Sequence, residues 1–235
     1  MNDRLKKLGY VLVVIGLVFV VAAGVGFFQT QNGYESLQKF SEAQGVELSY
    51  NEDGQLVDRG TVEGAQGILD LLENDWGYTI VAGELNPNDP LVNTASEYMY
   101  QMATVTYHTL NGTQTVVLDE PAEYNGETFE AGTYEVPVDG RYWSDFDRSH
   151  PLDGLAREQA WSGTAHGIVG ELGVGTVTHS ALKLALAMSG LFAGVGLVTI
   201  IAGSGLVWAT SGASKREFSL ATEQVLDKEL STSGV

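Results

Sequence analysis

The chain has 235 residues, no cysteine, and 30 Asp and Glu against 12 Lys and Arg, a net charge of −18. Such a charge repels nucleic acid, which is therefore not expected as a partner. The missing thiols exclude disulfides, thiolate metal sites and cysteine nucleophiles.

The apolar residues are unevenly placed. Residues 1–7 form a short basic stub with Arg4, Lys6 and Lys7. Residues 8–28 then run without a charge or a proline, as does Ala185 to Ala209 near the other end. A hydrocarbon core of about 30 Å needs roughly 20 helical residues, so both runs are long enough to span a bilayer. For the first run a cleaved signal peptide competes, with Val21-Ala22-Ala23 offering small residues for cleavage. The apolar stretch continues through Gly26, Phe27 and Phe28, longer than a usual signal core, which favours an uncleaved anchor.

The expected layout is a transmembrane helix at 8–28, an acidic domain at 29–182, a second transmembrane helix at 183–209 and a tail at 210–235. Lys215 and Arg216 follow the second span as Arg4, Lys6 and Lys7 precede the first. The positive-inside rule then places both termini in the cytoplasm and the central domain outside. The lipid bilayer is the first partner this implies. Small residues in the spans, Ala22 and Gly26 in one and the Gly190/Gly194 G-x-x-x-G pair in the other, would let helices pack closely. They would serve the two spans, a membrane protein partner or a homo-oligomer. Neither span has an ionisable residue at mid-depth, which argues against a transporter, channel or proton relay.

Between the spans, Tyr34, Leu37 and Phe40 continue a helical spacing. Val46 to Asn51 and Gln55 to Val57 alternate around Asp53-Gly54, predicting a β-hairpin. Gly64 to Trp76 predicts a short helix. Asp89 and Pro90 are read as the cap and first turn of the longest central helix, which ends at Asn111-Gly112. Asn111-Gly112-Thr113 is also an N-glycosylation sequon. Beyond it the period changes to two. Strands at Thr115–Leu118, Ala122–Tyr124, Glu127–Phe129 and Thr133–Val138, with Asn125-Gly126 as a type I′ turn, predict a small antiparallel meander. Its apolar face (Val117, Phe129, Tyr134, Val136) is expected to be covered by the helix from Pro90. A helical stretch from Pro151 leads to the second span. The fold class is therefore an α+β membrane protein, two transmembrane helices flanking one domain of helices plus a small meander.

The basic stub, the first span, Val46-Glu47-Leu48-Ser49-Tyr50-Asn51-Glu52-Asp53, the short helix and the Asp89-Pro90 start resemble small two-span proteins of actinobacteria. Those proteins are often labelled aromatic ring-opening dioxygenases. The resemblance covers about the first 105 residues and implies architecture; the label would imply an extradiol metal site. Those proteins usually pass straight into the second span, without an inserted meander. Between Gln29 and Ser180, 25 acidic residues face five basic ones, and the composition resembles that of extremely halophilic archaea. There, dense carboxylates keep a surface hydrated while salt screens their repulsion.

Chemistry is sparsely marked. His108, His150, His166 and His179 form no paired motif, and no nucleophile elbow, phosphate loop or dinucleotide fingerprint is present. The densest polar segment is Arg141 to Asp153. Asp145, Asp147, Ser149 and Asp153 fall on the first, third, fifth and ninth positions of a calcium-loop pattern. His150 stands where the glycine belongs, and Ala156 where the closing Glu belongs. The competing reading is a structural corner in which Asp147 to Ser149 caps the helix at Pro151. Arg141, Trp143, Arg148 and His150 are the candidate contact surface. No cofactor is expected. The chain reads as a non-enzymatic accessory, scaffolding or assembly component of a membrane complex. The alternative is an extracytoplasmic ligand- or ion-sensing module, marked by an apolar pocket lined by Trp76, Tyr98 and Tyr134.

Overall fold

The computed structural model describes residues 2–232, with side chains from 3 to 212. It is a mixed structure of helices and small antiparallel sheets. The order is α1 (Asn2–Gln44), α2 (Val62–Asp70), α3 (Ala95–Leu110), β1 (Thr113–Leu118), β2 (Ala122–Tyr124), β3 (Glu127–Phe129), β4 (Gly132–Pro137), α4 (Pro151–Ala160) and α5 (Gly163–Thr232). Two compact units result, one from Met1–Gly33 with Leu182–Val235, the other from Tyr34–Ala181. Within α1 and α5, Asp3–Gln44 and Gly163–Gly212 are long and apolar enough to cross a membrane by length and composition. The tail positions Phe218, Ala221, Val225, Leu226 and Leu230, which suggest a weak amphipathic face, lie outside the described side chains.

The first unit is a helix pair with a small-residue interior. Its buried residues among those described are Gly9, Gly16, Ala23 and Thr30 on α1, and Ser189, Gly196, Gly203 and Thr210 on α5. Each set repeats every seven residues, the period that keeps one seam facing a neighbour. The backbones nearly touch: a Cβ built on Gly9 would lie 2.8 Å from Gly203 O, and one on Gly16 2.6 Å from Gly196 O. The buried hydroxyls bond within their own helices, Thr30 to Gly26 O, Ser189 to Ala185 O and Thr210 to Leu206 O. Large apolar side chains such as Val18, Val21, Val198 and Ile201 point outward.

The second unit, the central domain, opens with the expected hairpin shape at 46–57, held by Asn51 N to Gln55 O and Val57 N to Ser49 O. It forms isolated bridges only, because its first arm also pairs elsewhere: Leu48 N donates to Pro90 O and Val92 N to Val46 O. That pairing corrects the expected helix start. Leu91, directly after Pro90, bridges Glu47, and Asp89 closes a turn on Asn86. The helix instead begins at Ala95, where Thr94 and Glu97 form a reciprocal capping box. Thr61 caps α2, which runs on into a π-helical turn at Leu71–Asp75.

The strands do not form a meander. β1 pairs with β4, and β2 with β3, as two separate ladders. Together they make one long ribbon: Leu118 faces Gly132, and Ala122 faces Phe129. Three residues bridge the gap on one side and two on the other, and Pro121 supplies no N–H for the ladder. The tip turn is as expected, with Asn125 and Gly126 both at positive φ. The buried face is Val116, Leu118, Val136 and Val138, with Tyr134 opposite Val116; Val117 faces out at 54% exposure. α4, rather than the helix beginning near Pro90, is packed against β1, β4 and β2.

Candidate functional site

The corner between β4 and α4 is built around Arg141. A turn with Asp139 and Gly140 at positive φ brings its guanidinium back onto the ribbon end. Nε donates to Val138 O, Nη2 to Pro137 O, and Nη1 to both carboxylate oxygens of Asp153 at 3.0 Å. The same guanidinium lies 4.2 Å from the Phe146 ring centroid, and Trp161 donates its indole N–H to Arg141 O.

The three acids of the calcium-loop pattern face separate partners, and Ser149 meets Asp147 through its backbone N–H. Asp145 accepts from Tyr142 N, and Asp153 is held by Arg141. Asp147 accepts from Ser149 N and from the Tyr124 hydroxyl. The Tyr124 bond holds the Asp147 carboxyl below its ordinary range and pushes the tyrosine up. Among the described residues no three His, Asp or Glu side chains are grouped to hold a metal ion. The cap on α4 is His150, whose Nδ1 accepts from Leu152 N and Asp153 N; the Asp147 to Ser149 cap is thereby corrected. Its ring sits between the Tyr124 and Phe129 rings at about 5 Å.

The rest of the contact surface divides. Trp143 stacks on the Arg157 guanidinium at 3.8 Å and meets the His166 ring edge-on. Arg148 is exposed. Arg157 itself, unremarked in the sequence, is 8% exposed. Trp143 compensates part of that burial. The other histidines are also placed by structure: His108 against Asp58 at 2.9 Å, His166 beside Ser162 O, and His179 accepting Ala95 N at the start of α3. Asn111 closes α3, its side-chain amide donating to Tyr107 O.

Of the span positions singled out from the sequence, Gly26 faces Ser189 across the seam. Ala22 is exposed beside the buried Ala23. Gly190 and Gly194 face open space, where a Cβ would meet nothing within 4 Å; with Leu191, Val195 and Val198 they line a shallow apolar hollow on α5.

A cavity of about 300 Å³ lies within the central domain, between the end of α1, α3 and the start of α5. Its apolar walls are Phe40, Val46, Val92, Val105, Ile168 and Leu172. In its wall the Ser41 and Tyr98 hydroxyls share a 2.7 Å hydrogen bond, with both residues buried. Burial pushes the Tyr98 phenol up. Gly175 makes this placement fit, since a Cβ there would lie 2.6 Å from the Tyr98 ring. Of the three aromatics expected to line an apolar pocket, only Tyr98 does so. Trp76 lies in a different groove, donating to the Tyr142 hydroxyl, and Tyr134 bonds Glu130 O. Compared with family models, curated proteins and solved structures, the chain matches none.

Proposed function

We propose that the chain is a two-span membrane protein with both termini in the cytoplasm and its acidic domain outside. In this reading it serves as a non-enzymatic accessory, scaffolding or assembly component of a membrane complex. An interior of small residues under an apolar exterior suits a helix pair in lipid, where close backbone packing replaces hydrophobic burial. The basic residues flanking both spans favour the orientation. The acidic surface suits high salt.

The observation that carries the complex-component reading is the open Gly190/Gly194 face. The seven-residue seam already joins the two helices, so this second small-residue face remains for another helix. Purification of tagged protein in mild detergent at molar salt, with mass spectrometry of retained proteins, tests it. A defined partner or second copy in stoichiometric amount, lost in Gly190→Leu/Gly194→Leu, is the expected result. A clean monomer, or retention unaffected by the double variant, would overturn it.

A second reading, a ligand-binding module, is favoured by the cavity beside the Ser41–Tyr98 pair. Concave, mostly apolar hollows with a few convergent polar groups are the usual form of small-molecule sites.

A further inference from the structure

We infer that the cavity between α1, α3 and α5 takes an uncharged, chain-like molecule with one hydroxyl or carbonyl head, an inference that rests on the ligand-binding reading. The size sets the first limit. About 300 Å³ is at the small end of small-molecule pockets, which run from roughly 300 to 1,000 Å³, and suits a single chain of on the order of ten carbons.

Polarity sets the second limit. The deep polar feature is a pair of neutral hydroxyls, Ser41 and Tyr98. Their shared hydrogen bond uses one of two O–H donors, so one remains for a ligand oxygen, along with lone pairs that accept from a ligand hydroxyl. Beside them the described lining offers the amides Gln44 and Gln101 and the charge of Glu171.

Charge sets the third. Among the described residues no Lys, Arg or His lines the cavity, and the Glu97 and Glu171 carboxylates both act to raise the Tyr98 phenol, so the local field is negative. A carboxylate or phosphate head would be repelled. A cationic head would gain little, because Glu171 is exposed and a solvated ion pair is weak. Drawing such a head toward the hydroxyls would strip its water with no charged partner beside it, since Glu97 is outside the lining and its carboxylate is taken by Asn93 and Thr94.

The test uses the full chain in lipid nanodiscs at molar salt. The probe is an alkanol of about ten carbons carrying an alkyl diazirine, with carboxylate and trimethylammonium counterparts, and photolabelled peptides are mapped by mass spectrometry. The alcohol should label the segments around Ser41 and Leu172 saturably, at least tenfold more than the charged probes. Val105→Trp, which fills the cavity, should cut that labelling at least tenfold while leaving span labelling unchanged. Ser41→Ala should weaken the alcohol severalfold and guards against misfolding of the tryptophan variant. Saturable labelling by a charged probe at equal or higher level would overturn the ligand class and leave the ligand-binding reading standing. Labelling by none of the probes, or labelling indifferent to both substitutions, would overturn both.

Discussion

Gly16→Ala should part the helix pair, whereas the same change at Gly190 or Gly194 should leave it intact. A Cβ at Gly16 would lie 2.6 Å from both Gly196 O and Ile200 Cγ1, and ordinary contact begins at 3.4 Å. The crossing must therefore open by about 0.8 Å, against a backbone carbonyl that cannot rotate away. A gap of that size forfeits a quarter to a half of each dispersion contact it stretches. Overpacking of this kind costs about 1–3 kcal/mol. Gly203→Ala, whose Cβ would meet Gly9 O at 2.6 Å, should cost a similar amount. At Gly190 and Gly194 the Cβ meets nothing within 4 Å, so the pair should not respond. SDS titration in mixed micelles reads the difference, using energy transfer between dyes at Tyr10→Cys and Trp208→Cys, two exposed positions in a chain free of other cysteines. Equal midpoints for Gly16→Ala and wild type, or a loss at Gly190→Ala matching that at Gly16→Ala, would refute the seven-residue seam.

Glu97 accepts from Asn93 N, Thr94 N and Thr94 Oγ1 with one buried oxygen, so Glu97→Ala should lose about 2–4 kcal/mol by chemical denaturation. Burial raises its carboxyl, so its contribution is full at acid pH and falls as pH rises through the native value; Glu97→Gln should stay within about 1 kcal/mol of wild type and flatten that slope. Burial pushes the Tyr50 phenol up to about 12 and Tyr100 higher, so native protons are held that the unfolded chain releases above pH 10, and stability should fall through that window. Neither hydroxyl has a hydrogen-bond partner among the described residues, so Tyr100→Phe should be neutral or stabilising by up to about 1 kcal/mol and should reduce the alkaline loss. Gly175→Ala should drive the Tyr98 ring from its place in the cavity wall, costing about 1–3 kcal/mol in thermal unfolding. Arg141→Lys cannot reproduce the planar fork onto Pro137 O, Val138 O and Asp153, and should expose the corner to proteolysis before the rest of the domain.

Local signals carried most of the secondary structure. The apolar runs, the stop at Asn111-Gly112 and the Asn125-Gly126 turn need only neighbours in sequence, and each is found where its residues indicate. Pairing was less accessible. Asp89-Pro90 is a good helix start until Val46 and Leu48 claim the backbone of Pro90 and Val92 for an extended segment, a contact some 40 residues away. Thr94 with Glu97 is an equally local capping box, and it is the signal that could have corrected the start. On the ribbon, Val116 and Val117 are chemically alike, so only register against Tyr134 decides which one is buried. Between the helices, G-x-x-x-G spacing drew attention to Gly190 and Gly194, while the close crossings sit on the seven-residue series Gly9, Gly16 and Gly196, Gly203. At the corner, alternating acids imitate a cation loop until Arg141, Tyr124 and two backbone amides divide them. Tyr98 alone marks the cavity in the sequence, because its walls come from three helices and the Val46–Val92 pairing, all distant in sequence.

The absence of cysteine makes the orientation of the central domain directly measurable. Ser144→Cys, in the exposed corner, and Asn2→Cys, at the basic stub, would each be the only thiol in their chain. A membrane-impermeant maleimide on intact cells should label Ser144→Cys fully and Asn2→Cys only after lysis. Labelling of Asn2→Cys in intact cells with Ser144→Cys protected would place the central domain inside the cell and overturn the two-span topology proposed above.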